Sequence, residues 1–449
     1  MPSFGFGQTT ITPQARRLAP RRQRGTFMPV PPQFQSGGLD RTAQGVTSFF
    51  YCLPIPAPYF AVRFLFGNID AVNTFALSGI AFSASDSVND YMTPTGATAW
   101  RYATYVNGGA LENGTDTDLP RDPATTLAGA TGFPVAVPVN STYALTGATN
   151  IPNLIATDWN YATSLDPANA GPASFLFMRV FGPGQIWRGV VQSAMASGWT
   201  GVAAINQGFD MSVRLGIGDY VTNPAIALGT TGAATAHPLV AVQYLTLKGV
   251  INVMVAGDST MAGATTTGGF NNATVQACLS LSKSLGIPVN PVNAAWGGSS
   301  TNTYWPVSNL IRSVTRPSIE IIPGWTSNET INTRILSDRC LGRMLSGVER
   351  ARQNGAIPII MTPTPRSDGS MTGATLTEWQ YIRSRINAQA PGIAVVDAGA
   401  LVGNPATGTY LAGNNTDNQH PNDVGHGVLA EAIKPLVRMM VGRISSGAA

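Results

Sequence analysis

Histidine, the usual general base near neutral pH, occurs three times in 449 residues: His237, His420 and His426. His420 has the company that proton transfer needs. It lies three residues after Asp417 in Asp417-Asn418-Gln419-His420. One short turn therefore lets the carboxylate hold the imidazole Nδ1–H, fixing the tautomer and stabilising the imidazolium. His426 falls at the start of the following helix, where the positive dipole end disfavours its charged form; it reads as a packing residue. His237, in Ala236-His237-Pro238 of a β-rich region, reads as structural. A nucleophile for such a base stands in Val255-Ala256-Gly257-Asp258-Ser259-Thr260. A serine that leaves a buried strand through a glycine-containing turn is presented at the end of the sheet, where a base can activate it. Gly-Asp-Ser alone is a weak signal, and its weight comes from the polar segments that end the next two strands. Asn293-Ala294-Ala295-Trp296-Gly297-Gly298-Ser299-Ser300 offers backbone N–H groups without a Cβ in the way, although the same residues would suit an ordinary loop. Pro323-Gly324-Trp325-Thr326-Ser327-Asn328-Glu329 adds an Asn amide. Backbone N–H plus Asn side-chain donors is the composition of an oxyanion hole.

These residues need elements that bring them to one face. Residues 249–449 alternate strand with helix: a short apolar run at Val250–Ala256, a helix near Ala273–Leu285 ending at Gly286, and strands near Val289–Ala294 and Ile319–Ile322. A helix near Arg334–Gln353, a strand at Ile357–Met361, a helix near Glu378–Ala388, a strand at Ile393–Val396 and a last helix near Val424–Val441, with Asn422 and Asp423 as N-caps, complete the series. That order predicts a three-layer α/β/α domain with a parallel sheet, its ligands beyond the carboxyl ends of the strands. Residues 46–240 read as an all-β sandwich of jelly-roll type. Phe60, Val62, Phe64 and Phe66 alternate onto one face, and Phe175–Phe181, Gly189–Gln192, Phe209–Leu215 and Leu239–Leu247 form further runs between Gly, Asn, Asp and Pro turns. Residues 1–45, broken by prolines and without hydrophobic periodicity, read as an extended Arg/Pro-rich arm.

Gly257-Asp258-Ser259, Gly298, Asn328 and Asp417-Asn418-Gln419-His420, in that order after successive strands, resemble the SGNH (GDSL-type) hydrolases. The resemblance covers roughly residues 249–449, and its first and last blocks are the specific ones. It implies that Ser259 is the nucleophile, with Asp417 and His420 completing the triad. It further implies that the N–H groups of Ser259 and Gly298 (Gly297 in the alternative register) and the Asn328 amide form the oxyanion hole. The family's third block usually reads Gly-x-Asn-Asp, whereas here three residues separate Gly324 from Asn328 and Glu329 comes next. The β half is similar to the sandwich module that precedes the catalytic domain in some carbohydrate-active members, mainly at Val62-Arg63-Phe64-Leu65-Phe66-Gly67-Asn68.

The expected activity is a carboxylic ester hydrolase without cofactor or metal. Trp296, Tyr304, Trp305 and Trp325 fall in the loops of the expected oxyanion donors, and aromatic faces pack on sugar rings. With the Ser, Thr and Asn content of those loops they point to an O-acetylated polysaccharide rather than a long acyl chain. The alternative is a structural or receptor-binding virion protein whose SGNH domain binds glycan with little turnover.

Composition narrows the partners. Charged residues are 11%, with 49 glycines and 32 prolines, and no window approaches a membrane span. The net charge of +4 is accounted for by the arm, where Arg16, Arg17, Arg21, Arg22 and Arg24 occur without an acid before Asp40. Nucleic acid and membrane are therefore not expected partners. Cys52, Cys278 and Cys340 are far apart and read as buried free thiols, with one disulfide left open. The N-terminus lacks the layout of a signal peptide. The arm is expected to dock on another copy or on a larger assembly, with virion attachment favoured over a cytoplasmic location.

Overall fold

The computed structural model describes residues 23–29, 39–40, 46–56, 58–68, 74–85, 100–106, 109–110, 120–137, 153–162, 174–183, 186–187, 190–191, 212–217, 219–224, 231–233, 236–237, 239–266, 271–389 and 392–446. The α/β half is built on five parallel strands: β1 (Ile251–Val255), β2 (Val289–Asn293), β3 (Ile319–Pro323), β4 (Ile357–Met361) and β5 (Ala394–Val396). Their spatial order is β2-β1-β3-β4-β5. The chain steps from β1 outward to β2, then back past β1 to β3. The sheet therefore changes winding direction between β1 and β3, and the crevice at their carboxyl ends is where such folds bind ligands.

Helices α1 (Ser259–Ala262), α2 (Ala273–Leu285), α3 (Trp305–Thr315), α4 (Arg334–Gln353), α5 (Gly373–Asn387), α6 (Ala398–Leu401) and α7 (Asp423–Ser446) complete the half. Alternate side chains of β1 divide the layers. Val253 and Val255 pack with Cys278 and Leu281 of α2 and with Leu429, Ile433 and Val437 of α7. On the opposite face Met254 packs with Val307 and Ile311 of α3, while Ile322 and Ile360 meet Met344 and Val348 of α4 and Trp379 and Ile382 of α5. The expected three layers are thus present. Helix α3, which begins at Trp305-Pro306, is an addition to the series that the sequence predicts. Proline is in fact tolerated in the first helical turn, where its missing N–H has no intrahelical acceptor to lose.

Among the described residues, three two-stranded antiparallel pairs stand beside the two packed antiparallel sheets of six strands each that make up the β half. One runs Gln23–Phe27, Leu239–Thr246, Ala61–Asn68, Asn153–Ala156 and Gly109–Ala110, with Asn160–Tyr161 beside the third strand. The other runs Thr231–Ala233, Ser212–Ile217, Val46–Ile55, Ser174–Pro183, Gly79–Ser85 and Arg101–Tyr102. Phe64 of the first sheet meets Phe82 of the second at 5.6 Å between ring centroids. The strand at Ala61–Asn68 is not half-buried as its alternation suggests. Val62, Phe64 and Phe66 face the sandwich core, but Leu65 is also buried, packed with residues of β2 and α3.

The reading of residues 1–45 as a coreless arm needs correction over residues 23–29. Gln23–Phe27 is a full strand, antiparallel to Leu239–Thr246, and Met28 forms a parallel bridge to Val292 of β2. The Met28 N–H donates to the Pro291 carbonyl (3.1 Å) and its carbonyl accepts from Asn293 (2.8 Å), so the exposed edge of the parallel sheet is covered. No local periodicity announces this strand, because its partner lies more than two hundred residues away. Arg24 belongs to it; Arg16, Arg17, Arg21 and Arg22 lie outside the described residues. His237 sits in a two-residue strand paired with Val190–Val191. Cys278 and Cys340 are buried free thiols, and burial pushes the Cys340 thiol up to about 12. The Cys52 side chain lies outside what is described.

A buried polar seam joins the halves. The Tyr244 hydroxyl donates to Asn290 Oδ1 (2.8 Å) and Asn290 Nδ2 donates to Asn252 Oδ1 (3.0 Å), which also accepts from the Thr26 N–H (3.1 Å). Gln243 Nε2 donates to Thr26 Oγ1 and to the Val314 carbonyl, each at 3.1 Å. Gly25 stands under the Tyr244 ring, where an added Cβ would lie 2.1 Å from Cζ. Gly25→Ala is accordingly expected to displace Tyr244 and lower unfolding stability by roughly 2–3 kcal/mol. Urea denaturation followed by circular dichroism checks this; an unchanged midpoint would mean the seam is not under packing constraint.

Candidate active site

The turn after β1 is shaped by Gly257 and Asp258. Gly257 has φ +135°, and a Cβ there would come within 2.6 Å of Met261 Cγ. Asp258 is the N-cap of α1: its Oδ1 accepts from the Thr260 N–H at 3.1 Å. Ser259 is therefore the first helical residue, where a backbone N–H has no intrahelical acceptor. Its Oγ lies 2.8 Å from His420 Nε2. His420 Nδ1 lies 2.5 Å from Asp417 Oδ2, and Asp417 Oδ1 accepts from the N–H groups of Gln419 (2.9 Å) and His420 (2.8 Å). Partial burial works against ionisation of Asp417, but the His420 ring and the two backbone donors outweigh it and hold the carboxyl below its usual range. The turn joining acid and base depends on Asn418 at φ +65°, a left-handed conformation that Asn tolerates better than most residues. Ser259 and His420, 161 positions apart in the chain, are thus brought together with Asp417 in hydrogen-bonding order.

Three loops are tied together around the serine. The Trp296 N–H (2.8 Å) and Ser299 Oγ (3.0 Å) donate to the Gly257 carbonyl. Asn328 Nδ2 donates to the Ser299 carbonyl at 2.9 Å. Asp258 Oδ2 accepts from Ser327 N–H (3.0 Å) and Oγ–H (3.2 Å). Gly298 adopts φ +76° with open space where a Cβ would stand, so a ligand can approach its backbone. Gly297, the alternative register, precedes it in the same turn. The bond to Ser299 is the side-chain hydrogen bond of the Asn328 amide among the described residues. Glu329 accepts from Thr301 Oγ1 (2.5 Å) and Arg343 (3.1 Å), which anchors the longer third loop to α4.

Asp258 has a role in the site that its place in the motif does not disclose. It is fully buried, and burial raises its pKa against the pull of Ser327, His420 and Thr260. An Asp before a short helix is a local N-cap pattern that the sequence can display; the link to Ser327 is long-range and has no such signal.

The four aromatic residues expected to contact a sugar do not face the site as exposed platforms. Tyr304 is 0% and Trp305 7% exposed. They pack on each other at 4.5 Å, with Trp305 filling the notch over Gly347. Trp325 lies in the same core and its Nε1 donates to the Glu329 carbonyl at 3.3 Å. Trp296 packs with Met28, Val240 and Val307 between sandwich and α3. Their placement in sequence beside the expected oxyanion donors reflects packing of those loops on the core.

Scanned against protein-family models and against curated proteins, the sequence matches none. Solved structures do resemble about two fifths of the chain. A protein described as lipolytic and of the G-D-S-L family, from Desulfitobacterium hafniense, is 19% identical over 41% of this chain and 98% of its own, with TM-score 0.34. A lipase/acylhydrolase from Enterococcus faecalis is 19% identical over 42% and 95%, with TM-score 0.34. An acetyl xylan esterase, AlAXEase, is 17% identical over 42% and 100%, with TM-score 0.33. Some of these neighbours are of the GDSL type that the motifs resemble; at such scores, however, the fold rests on the strand order of the sheet and the site on its own distances.

His426, the other histidine of the last block, is fully buried in α7, its Nδ1 accepting from the Ala273 N–H at 3.2 Å. Burial pushes its pKa down to about 4, with Asp423 opposing and His420 adding to the shift. The unfolded chain therefore binds a proton between about pH 6.5 and 4 that the folded chain refuses, so stability falls as pH drops through that window. The loss expected from this group is roughly 3 kcal/mol. His426→Gln is expected to flatten the dependence of urea midpoint on pH between about 6.5 and 4, and an unchanged slope would show that His426 is not the group.

Proposed function

We propose that the chain is a serine carboxylic-ester hydrolase. The observation that carries this reading is the continuous line Ser259 Oγ to His420 Nε2 to Asp417, at 2.8 and 2.5 Å. Ser259 Oγ attacks the ester carbonyl carbon as its proton passes to His420 Nε2. The Asp417 carboxylate stabilises the imidazolium that forms. The oxyanion is held by the N–H groups of Ser259 and Gly298 and by the Asn328 amide. Collapse breaks the bond to the leaving oxygen, which takes the proton from Nε2. Water then attacks the acyl-serine, giving its proton to Nε2, and Ser259 leaves with that proton as the acid is released.

The substrate proposed is a short acyl ester, with O-acetyl groups of a polysaccharide as its class. The aromatic side chains lend a sugar no support, since their rings are buried. What supports a compact acyl group is the character of the solvent-facing residues on the site loops: Gly298, Asn302, Asn328 and Asn418 are small and polar. Attachment to a virion or other large assembly is also proposed, through the part of the arm that precedes residue 23. Its support is the arginine cluster Arg16–Arg22 in a stretch without acids.

With p-nitrophenyl acetate, Ser259→Ala and His420→Ala are expected to lose about 10⁵-fold or more in kcat and Asp417→Ala about 10⁴-fold. Asn328→Ala is expected to lose about 10²–10³-fold. Activity should fall from acetyl to octanoyl esters. Equal rates in wild type and Ser259→Ala would overturn the esterase reading and favour a glycan-binding role without turnover. A rise with acyl length would overturn the substrate class alone.

A further inference from the structure

The loop after β4 touches both sides of the triad, and one arginine spans them. Arg366 Nη1 donates to the carbonyl of Ser327, the residue before Asn328, at 2.8 Å. Its Nη2 pairs with Asp368, whose Oδ2 also accepts from Nε2 of Gln419, the residue before His420, at 3.4 Å. Ser367 completes the contact: its N–H donates to the Asn418 carbonyl at 2.7 Å, holding the left-handed residue of the Asp417–His420 turn. Ser367 Oγ accepts from the Tyr410 N–H at 3.0 Å, and the Tyr410 hydroxyl donates to the Gln419 carbonyl at 3.1 Å. Arg366 is itself fixed by its own N–H to the Gly408 carbonyl at 2.9 Å. Its Nε is buried and has no hydrogen-bond partner among the described residues, so the orientation of the guanidinium is set by Ser327 and Asp368.

We propose that Arg366 is a positioning residue that clamps the oxyanion-side loop to the acid–base loop. The proposal rests on the esterase reading. Ser327 is held from two sides, by Asp258 through its N–H and Oγ–H and by Arg366 through its carbonyl. Together these fix the peptide that leads into Asn328. Asp368, by accepting from both Arg366 and Gln419, sets the same frame for His420. A planar fork can serve two acceptors at once in fixed geometry, which the point charge of a lysine cannot. The clamp acts on where donors and base stand when charge develops, so its loss affects the transition state more than substrate binding.

The test uses the full chain, with two readouts: steady-state hydrolysis of p-nitrophenyl acetate, and the rate of covalent labelling of Ser259 by a fluorophosphonate. Arg366→Ala is expected to keep KM within about twofold while kcat and labelling rate fall together by about 10–100-fold, the scale of a displacement near 1 Å. Arg366→Lys is expected to recover part of both. Unchanged kcat, or a loss confined to KM, overturns the inference. Should Arg366→Ala fail to fold, Arg366→Lys and Asp368→Asn decide by the same split, with a loss of kcat at constant KM expected in each. A wild-type chain that hydrolyses and labels normally beside unaffected variants overturns this inference alone. A wild-type chain that does neither overturns the esterase reading, and this inference with it.

Discussion

One buried carboxyl group holds the site together. Asp258 is shut off from solvent, and taking such a group out of water is costly unless its lone pairs are filled. They are filled by Thr260 N–H on one oxygen and by Ser327 N–H and Oγ–H on the other. The same three bonds start the helix that carries Ser259 and pull the third loop against it. The Gly257 carbonyl, one residue earlier, does the equivalent for the second loop by accepting from Trp296 and Ser299. The turn after β1 is therefore the hub from which the serine and both sets of proposed oxyanion donors are placed. Because the hub is buried and paired, the proposed donors would need little reorganisation in the reaction proposed.

The scaffold that supports this hub is wider than the parallel sheet. Strand β2 would be an open edge, but Met28 covers it. The Asn252–Asn290–Tyr244 seam ties the edge to the sandwich. Val275 and Leu279 of α2 reach into the sandwich core. The β half is thus packed against the α/β half through both apolar and polar contacts, with residues 23–29 stitched into both.

Two histidines six residues apart have opposite environments. His420 lies on a loop with its ring between a hydroxyl and a carboxylate. His426 sits inside the protein with one nitrogen accepting a backbone N–H, and burial keeps it neutral. The difference between them comes from solvent access and partners, since the residue type is the same.

Much of the α/β half is legible in the sequence because its signals are local. The strand–helix alternation, the apolar run of β1 and the Asp417–His420 spacing all lie within windows of a few residues, where periodicity and turn chemistry act. Gly257-Asp258-Ser259 and Asn328 can be placed at one end of the sheet on strand order alone. Features that the sequence leaves undetermined depend on partners distant along the chain. Gln23–Phe27 is a strand because Leu239–Thr246 stands beside it. Trp296, Tyr304, Trp305 and Trp325 are core residues because α3, α4 and the sandwich close over them, and an aromatic type near a loop looks the same whether it faces solvent or core. Arg366 carries no motif, and its contacts with Ser327 and Asp368 exist only once β3, β4 and the last loop converge. Residue types and spacing thus determined which groups could do the chemistry, whereas long-range packing decided which surfaces stayed open and what holds those groups in place.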